Sequence, residues 1–226
     1  MKVTFYGHAC FAVEIQGKSM VFDPFITDNP LASDIHLHDI PCDYLLLSHG
    51  HADHTADAMV LAKMKNPLLI SSFEITEWAS KQGYTHVHPM NIGGSHSLPI
   101  ARIKMVQALH SSSFADGTYA GPASGFVVES QKGTFYYAGD TALTLDMQLI
   151  QNEFSLDFAI LPIGDNFTMG VQDAIKAAKL IGCNTIIGMH YDTFGYIQIN
   201  HREAIAAFAK EGITLHLLKV GSTLTF

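Results

Sequence analysis

Cysteine is scarce in this chain. Three cysteines (Cys10, Cys42 and Cys183) are spread over 226 residues with no CxxC pair. An odd, widely spaced set argues against a disulfide scaffold. Each thiol reads as a small buried residue rather than a metal ligand. Charge is scarce as well: charged side chains make up 15% of the residues, against about 25% in an average globular protein. The Lys/Glu-rich surface of a hyperthermophile is therefore absent. Cations are the scarcer sign, with 13 Lys and Arg against 21 Asp and Glu and a formal net charge of −8. Such a surface repels polyphosphate, so nucleic acid is not the expected partner. No apolar run reaches the roughly 18–20 residues of a membrane span, so no membrane partner is expected either. The opening Met1–Phe5 enters a strand pattern at once and lacks a signal-peptide layout, which makes the cytoplasm the expected location. No polar tract, linker or short repeat interrupts the chain, and 48% of it is hydrophobic. A single ordered domain over residues 1–226 is the expected organisation.

What the chain has in abundance is histidine, 13 in all. Four metal-type side chains crowd into one stretch, His49-Gly50-His51-Ala52-Asp53-His54. The apolar run Tyr44–Leu47 leads into it and reads as a short strand buried on both faces. A helix is expected to follow from Thr55 to Lys65. The stretch thus sits at a strand-to-helix junction.

The remaining pattern alternates strands and helices. Strands are expected at 2–6, 10–15, 20–22, 67–71, 86–89, 101–109, 124–130, 134–138, 158–161, 185–188 and 214–217, with 224–226 closing an edge. Helices are expected at 73–82, 143–153, 171–181 and 202–210, three of them stopped by Gly83, Gly182 and Gly212. The long connection 25–43 is rich in Pro and Asp and carries His36 and His38. Its length suggests a rim or a lid. Two strand-rich halves, each followed by helices, predict an α/β fold, a four-layer αββα sandwich of two mixed β-sheets.

Further metal-type residues stand where apolar strands end: His110 after Met105–Leu109, Asp140 after Phe135–Ala138, and His190 after Ile186–Met189. Such ends converge on one edge of a sheet-based fold, where ligands bind. Neutral imidazole and carboxylate suit Zn²⁺, Mn²⁺, Fe²⁺ or Ni²⁺. His49 and His51 are two apart and face one side of an extended segment. Asp53 and His54 lie in the following turn and can face a second ion. Seven candidate ligands are too many for one tetrahedral ion and suit two, with Asp140 as the bridging carboxylate. Water held between two cations becomes hydroxide near neutral pH, a nucleophile that needs no catalytic Ser or Cys. Ser111–Ser113 could support the ligands, and Tyr191, Thr193 and Phe194 could shape the pocket floor.

The HxHxDH pattern, followed by isolated His, Asp and His after strands, resembles the metallo-β-lactamase superfamily over essentially the whole chain. Gly7-His8, Asp23-Pro24, Gly139-Asp140-Thr141 and His190–Phe194 narrow the likeness to the UPF0173-type metal-dependent hydrolases, related to an ascorbate-lactonase-like branch. The resemblance implies one site of His49, His51 and His110 and a second of Asp53, His54 and His190, with Asp140 bridging. It implies that Asp23 supports the metal loop by hydrogen bonds. His8 matches a histidine of this branch that lines the pocket or approaches a metal.

The expected activity is metal-dependent hydrolysis of a small ester, lactone, amide or phosphodiester. The expected cofactors are two divalent ions, zinc first, with manganese, nickel or iron as substitutes. Asp53, Asp140 and His8 are the candidate catalytic groups, with Asp53 or a metal-bound water handling the leaving-group proton. Iron-based redox chemistry is the first rival. Its members tend to carry Glu where this chain has Ala52, and no flavin-type domain follows. A small phosphodiesterase acting on nucleic-acid-type substrates and a non-enzymatic metal module are the others. The partner is a small-molecule substrate. Oligomeric state does not follow from the sequence, and a homo-oligomer is compatible with it.

Overall fold

The computed structural model describes residues 1–226 and contains two seven-stranded sheets with helices on their outer faces. The strands are β1 (Lys2–Gly7), β2 (Cys10–Ile15), β3 (Lys18–Phe22), β4 (Tyr44–Leu46), β5 (Leu68–Ser72), β6 (Val87–Met90), β7 (Ser95–Ser97), β8 (Arg102–Gln107), β9 (Ser124–Ser130), β10 (Gly133–Tyr137), β11 (Phe158–Pro162), β12 (Thr185–Met189), β13 (Thr214–His216) and β14 (Thr223–Thr225). The helices are α1 (Ala52–Thr55), α2 (Ala58–Lys65), α3 (Phe73–Lys81), α4 (Met147–Glu153), α5 (Val171–Leu180) and α6 (His201–Lys210). The first sheet runs β14-β1-β2-β3-β4-β5-β6 and the second β13-β12-β11-β10-β9-β8-β7. Each is mixed. The β1–β2–β3 meander is antiparallel and β3 to β6 are parallel. Likewise β7 to β10 are antiparallel and β10 to β13 parallel. This is the expected αββα sandwich.

Strand alternation distributes the core between layers. On β4, Leu46 joins the cluster that includes Phe22, Phe126, Phe135 and Tyr137 from the two sheets. Leu45 and Leu47 point the other way, towards Leu61, Ala62, Ile75 and Ala79 of α2 and α3. The two-sided burial predicted for this strand is present, with all three leucines at 0% exposure. Phe22 sits at the centre of the inter-sheet layer. Its ring stacks on Tyr137 at 4.6 Å between centroids and meets Phe135 edge-on at 5.9 Å.

Three local expectations differ. The helix expected at 55–65 is broken into α1 and α2. At the break, the Asp57 carboxylate turns back to accept from the amides of Ile26 and Thr27, at 2.6 and 2.9 Å. Those bonds pin the start of the 25–43 connection, and Lys65 Nζ donates to the His38 carbonyl further along. The connection is therefore a fastened rim rather than a loose lid, with only a short 3₁₀ turn at Leu37–Asp39. The helix expected from 143 starts at Met147, because Thr144 forms a turn with the Asp146 amide on its hydroxyl. Strand β7, Ser-His-Ser, was not expected, having no apolar alternation to announce it; its pairing with β8 supplies the order.

Truncating Phe22 leaves a large hole between the sheets. Phe22→Ala is expected to lower the unfolding free energy by about 3–5 kcal/mol in urea titrations. An unchanged midpoint would remove Phe22 from the centre of the core.

Candidate metal centre

Every chemistry-bearing residue named from sequence stands just beyond the C-terminal end of a strand: His8 after β1, Asp23 after β3, His49–His54 after β4, His110 after β8, Asp140 after β10 and His190 after β12. The strands of both sheets point these ends to one edge, and the side chains converge there. Three of the residues leave their strands with left-handed backbones: His8 (φ 55), Asp23 (φ 41) and His190 (φ 57). Non-glycine residues rarely adopt this conformation, and it persists where surrounding structure enforces it, often at functional sites. Two glycines are there for space. A Cβ on Gly50 would lie 2.3 Å from the Ala120 methyl, and one on Gly139 would lie 2.7 Å from the Ser124 carbonyl.

The ligand-type atoms fall into three groups whose members lie within 4.8 Å of one another: His49, His51 and His110; His8, Asp53, His54 and His190; and Asp23, His49 and His54. Asp140 lies between the first two. Its Oδ2 is 3.0 Å from His190 Nε2, 3.6 Å from His110 Nε2 and 4.0 Å from His49 Nε2, while Oδ1 is 3.3 Å from His54 Nε2. All seven candidate ligands are thus brought to one place, with Asp140 in reach of His49, His54, His110 and His190.

Asp23 is at the base of the arrangement and fully buried. Its Oδ1 accepts from the Ser48 amide at 2.7 Å. Its Oδ2 accepts from the Ser48 hydroxyl, from His54 Nδ1 at 2.8 Å and from the Tyr137 hydroxyl at 2.7 Å. This carboxylate is saturated with donors, as expected of a support. It also sets tautomers. His54 gives its Nδ1–H to Asp23, so in the neutral ring Nε2 carries the lone pair. The Ser48 proton goes to Asp23, so Ser48 Oγ accepts from His49 Nδ1, 2.9 Å away. His49 Nε2 is then also a lone pair, and it faces His51 Nδ1 at 3.0 Å. His51 Nε2 is 3.3 Å from Ser111 Oγ, which leaves Nδ1 free for the cluster. Ser112 Oγ accepts from the Gly50 amide. Ser111 thus reaches a candidate ligand ring, while Ser112 holds the backbone between His49 and His51.

Lone pairs facing lone pairs in a buried space call for a cation. Two cluster-facing buried atoms, His54 Nε2 and Asp140 Oδ1, find no hydrogen-bond partner, and His190 Nδ1 is buried without one as well. Orphaned buried polar atoms are costly unless something absent from the protein satisfies them. The donor set of imidazoles and carboxylates is that of a divalent transition metal, so the residues fit the group. The electrostatics agree. Burial favours the neutral His54 and His190 rings, but the Asp140 carboxylate outweighs it, raising His54 well above its ordinary value and His190 to about 9. Burial raises the Asp53 and Asp140 carboxyls, yet the facing imidazoles hold both below the usual carboxylate range. Protons take up the charge deficit in the metal-free chain. Burial pushes the His8 imidazole down to about 4 and lowers His49, His51 and His110 also.

His36 and His38 stack on each other on the exposed rim and do not reach the cluster. His86, His88, His96, His201 and His216 belong to other elements. The 165–169 loop is tied behind the site through the Met169 amide on the Thr141 carbonyl. It lines a separate hollow of about 700 Å³ with Tyr196 and Glu203. Ser48 and Tyr137 were not singled out from sequence. A serine directly before the first ligand histidine was the available hint for Ser48. Nothing announced Tyr137, since its neighbour Tyr136 is as buried but leaves its hydroxyl unpaired.

The chain is similar to known proteins throughout. A family model described as the beta-lactamase superfamily domain matches residues 2–190. A UPF0173 metal-dependent hydrolase of Flavobacterium johnsoniae is 51% identical over 224 residues, 99% of each chain. One from Bacillus thuringiensis subsp. konkukian is 41% identical over 230 residues, 100% of each. Among solved structures, the metallo hydrolase Igni18 from the hyperthermophilic archaeon Ignicoccus hospitalis is 31% identical. It superposes with a TM-score of 0.91 over 100% of this chain and 97% of its own.

Asp23→Asn swaps one acceptor oxygen for a donor amide facing hydroxyl and N–H groups. The metal-free variant is expected to unfold with about 3 kcal/mol less stability, the cost of breaking a buried charged network. It should also bind metal more weakly, as His54 and Ser48 lose their anchor. Urea unfolding and metal titration check both, and wild-type values in each would show that Asp23 anchors nothing.

Proposed function

The chain belongs to the UPF0173 metal-dependent hydrolases of the β-lactamase superfamily, and on that premise we propose that it is a dinuclear hydrolase of small, uncharged esters, lactones or amides. The observation that carries the reading is the pair of lone-pair clusters on either side of one buried carboxylate, Asp140. His49, His51 and His110 would hold one divalent ion, Asp53, His54 and His190 the other, and Asp140 both. Zinc is the first expectation, with manganese, nickel or iron alternatives at the same donors. Divalent ions held by these residues would supply Lewis acidity, for polarising a scissile carbonyl and for making water nucleophilic near neutral pH.

The protein's own groups orient and move protons. Asp140, 2% exposed, is walled in by four imidazoles and can only hold position. Asp53 is the one site carboxylate with an open side, 26% exposed. It is placed to take a proton from the attacking water and return it to the leaving group. His8 holds Asp53 Oδ2 at 3.0 Å and thereby aims it. Ala52, where iron redox relatives tend to carry Glu, supplies no carboxylate and lies in a shallow hollow beside Trp78 and Phe114.

Charge supports neutral substrates. None of the 13 lysines and arginines falls in residues 23–43, 48–57, 108–123, 139–146, 163–170 and 190–200, the segments that carry or flank the candidate ligands; Lys219, in the turn after β13, is the one cation in the segments that begin at this edge. Those segments carry aspartates instead, among them Asp28, Asp34, Asp116, Asp146 and Asp165. A phosphodiester or carboxylate substrate would find no cationic side chain on the ligand-bearing segments to pair with, and several acidic neighbours.

His51→Ala is expected to lose metal and turnover together. Elemental analysis of protein purified without added metal, followed by a panel of esters, lactones, amides, phosphodiesters and β-lactams, tests this. A variant that keeps two ions and normal turnover refutes the site. In the same panel a neutral p-nitrophenyl ester or lactone should be hydrolysed at least about tenfold faster than bis(p-nitrophenyl) phosphate, the factor of one missing charged hydrogen bond. The reverse order would favour a phosphodiesterase. Stripping metal should also lower thermal stability, since an ion at 100 times its Kd adds about 2.7 kcal/mol.

A further inference from the structure

The shallow hollow beside Ala52 has a volume of about 300 Å³. Ala52, Thr55 and Ala56 line one side of it, and Trp78 and Phe114 another. A helix turns about 100° per residue, so Ala52, Thr55 and Ala56 share one face of α1 and its C-terminal cap. Asp53 lies on the flank of that face. His54 lies opposite, fully buried against Asp23. One short helix thus turns metal-type side chains inward and this hollow outward.

The walls are firmly held and apolar. The loop leaving His110 folds back on itself through a Ser113–Tyr119 bridge and the Phe114 amide on the Thr118 carbonyl at 2.8 Å. Ser112 ties its root to the Gly50 amide. Its tip lays Phe114 on Trp78, with 4.5 Å between ring centroids and 17° between planes. Thr55 turns its hydroxyl back to the His51 carbonyl at 3.0 Å and offers the hollow no free donor. Ala52 and Ala56 keep the space open, since a longer side chain at either position would enter it. Asp116 is the one charged lining residue, exposed at the rim with its Oδ1 on the Thr118 amide. An anion would meet that carboxylate, whereas a flat apolar group meets alanines and an aromatic wall. The volume is at the low end for ligand pockets. It suits one ring or one branched alkyl group rather than a whole ligand.

We propose that this hollow receives an aromatic or bulky alkyl group on the leaving side of the substrate. The inference rests on the hydrolase reading above and narrows it to neutral esters and amides whose alcohol or amine carries such a group. Ala52 and Asp53 are consecutive, with Cα atoms about 3.8 Å apart. In hydrolysis the water oxygen joins the acyl carbon, the acyl C–O or C–N bond breaks, and the alcohol or amine departs with a proton. A leaving group that takes that proton at the open side of Asp53 lies one residue from the hollow. Trp78 and Phe114 are thereby specificity residues: they touch the departing group's substituent and no reacting atom.

Trp78 is the single tryptophan of the chain, so its emission reports on this wall and no other. Benzyl alcohol, the product of a benzyl ester, is the probe. Titrated into the full-length protein, it should change Trp78 emission saturably, and ethanol should not. Ala56→Leu places a good helix former at an exposed position, so the fold should persist; thermal unfolding verifies that. Its side chain fills the hollow and should abolish the response to benzyl alcohol. Turnover is read by proton release from benzyl acetate and ethyl acetate, which share an acyl group. Wild type should favour benzyl acetate at least about tenfold in kcat/KM, and Ala56→Leu should bring the ratio to within about threefold of one. Ethyl phenylacetate, with its ring on the acyl side, should show no such gain. A wild type without the emission change, or a benzyl preference that survives Ala56→Leu, overturns the inference and leaves hydrolysis standing. So does a preference that follows the acyl ring. Emission that varies with protein concentration instead of benzyl alcohol gives the hollow to a second copy of the chain, which overturns it too. A saturable emission change in a protein that hydrolyses none of the three esters refutes the ester-hydrolase reading, and the leaving-group assignment falls with it.

Discussion

One buried carboxylate, Asp23, holds the centre in order. It binds four donors at once, from Ser48 twice, His54 and Tyr137. The three partner residues belong to different parts of the molecule. Ser48 follows β4, His54 lies in α1 and Tyr137 ends β10 in the opposite sheet, so Asp23 connects both sheets and the metal-type loop. It also determines which nitrogen of His54 and, through Ser48, of His49 is bare. A buried charge with that many partners cannot lose one cheaply. The geometry of the histidines is thus settled by the protein before any ion arrives. Preorganisation of this kind costs folding energy in facing lone pairs, and metal returns it on binding.

How far the sequence reached depended on how local each signal was. His49, His51, Asp53 and His54 were legible because four ligand types within six residues are their own evidence. His110, Asp140 and His190 were legible through position: each follows an apolar strand, and strand ends share an edge. The sandwich was legible from alternation of strands and helices. Strand β7 was not, because its order comes from pairing with β8 and not from its own Ser-His-Ser. The break between α1 and α2 was not either. Asp57 looks like an ordinary helical residue until the Ile26 and Thr27 amides are found beside it. Tyr137 shows the limit most clearly. Tyr136 and Tyr137 are adjacent and both fully buried. Strand alternation sends one hydroxyl to Asp23 and leaves the other with no partner. Choosing between them requires the register of β10 against the sheet opposite, which no local pattern encodes.

The electrostatics at the centre differ from those around it. Inside, Asp53 and Asp140 sit among imidazoles, and His54 and His190 hold their protons more firmly than usual because of them. That is the signature of a place short of positive charge. Outside, the ligand-bearing loops and the 25–43 connection also lack positive charge, having no lysine or arginine. Metal bound among these side chains would correct the deficit only at the bottom. A ligand's reacting atom can therefore be negative or become so, while the rest of it has nothing cationic to meet.

The rim itself decides what can approach. The 25–43 connection is fastened at its start by Asp57 and along its length by Lys65, and Phe25 within it packs against His8 and Phe194. Selection by a closing lid would require those bonds to break, so the shape of the entrance belongs to the resting fold. Exposed apolar side chains stand beside the ligand-bearing turns: Leu109 immediately before His110, Leu145 shortly after Asp140, and Phe167 against Tyr196 at 6.3 Å between centroids. Together with the missing cations, they bias binding towards apolar substituents through burial of area rather than through charge. Discrimination on that basis is modest, since one methylene in an apolar pocket is worth about 1–3 kcal/mol. Under the reading proposed above, a site built this way would discriminate by the absence of charge more sharply than by shape.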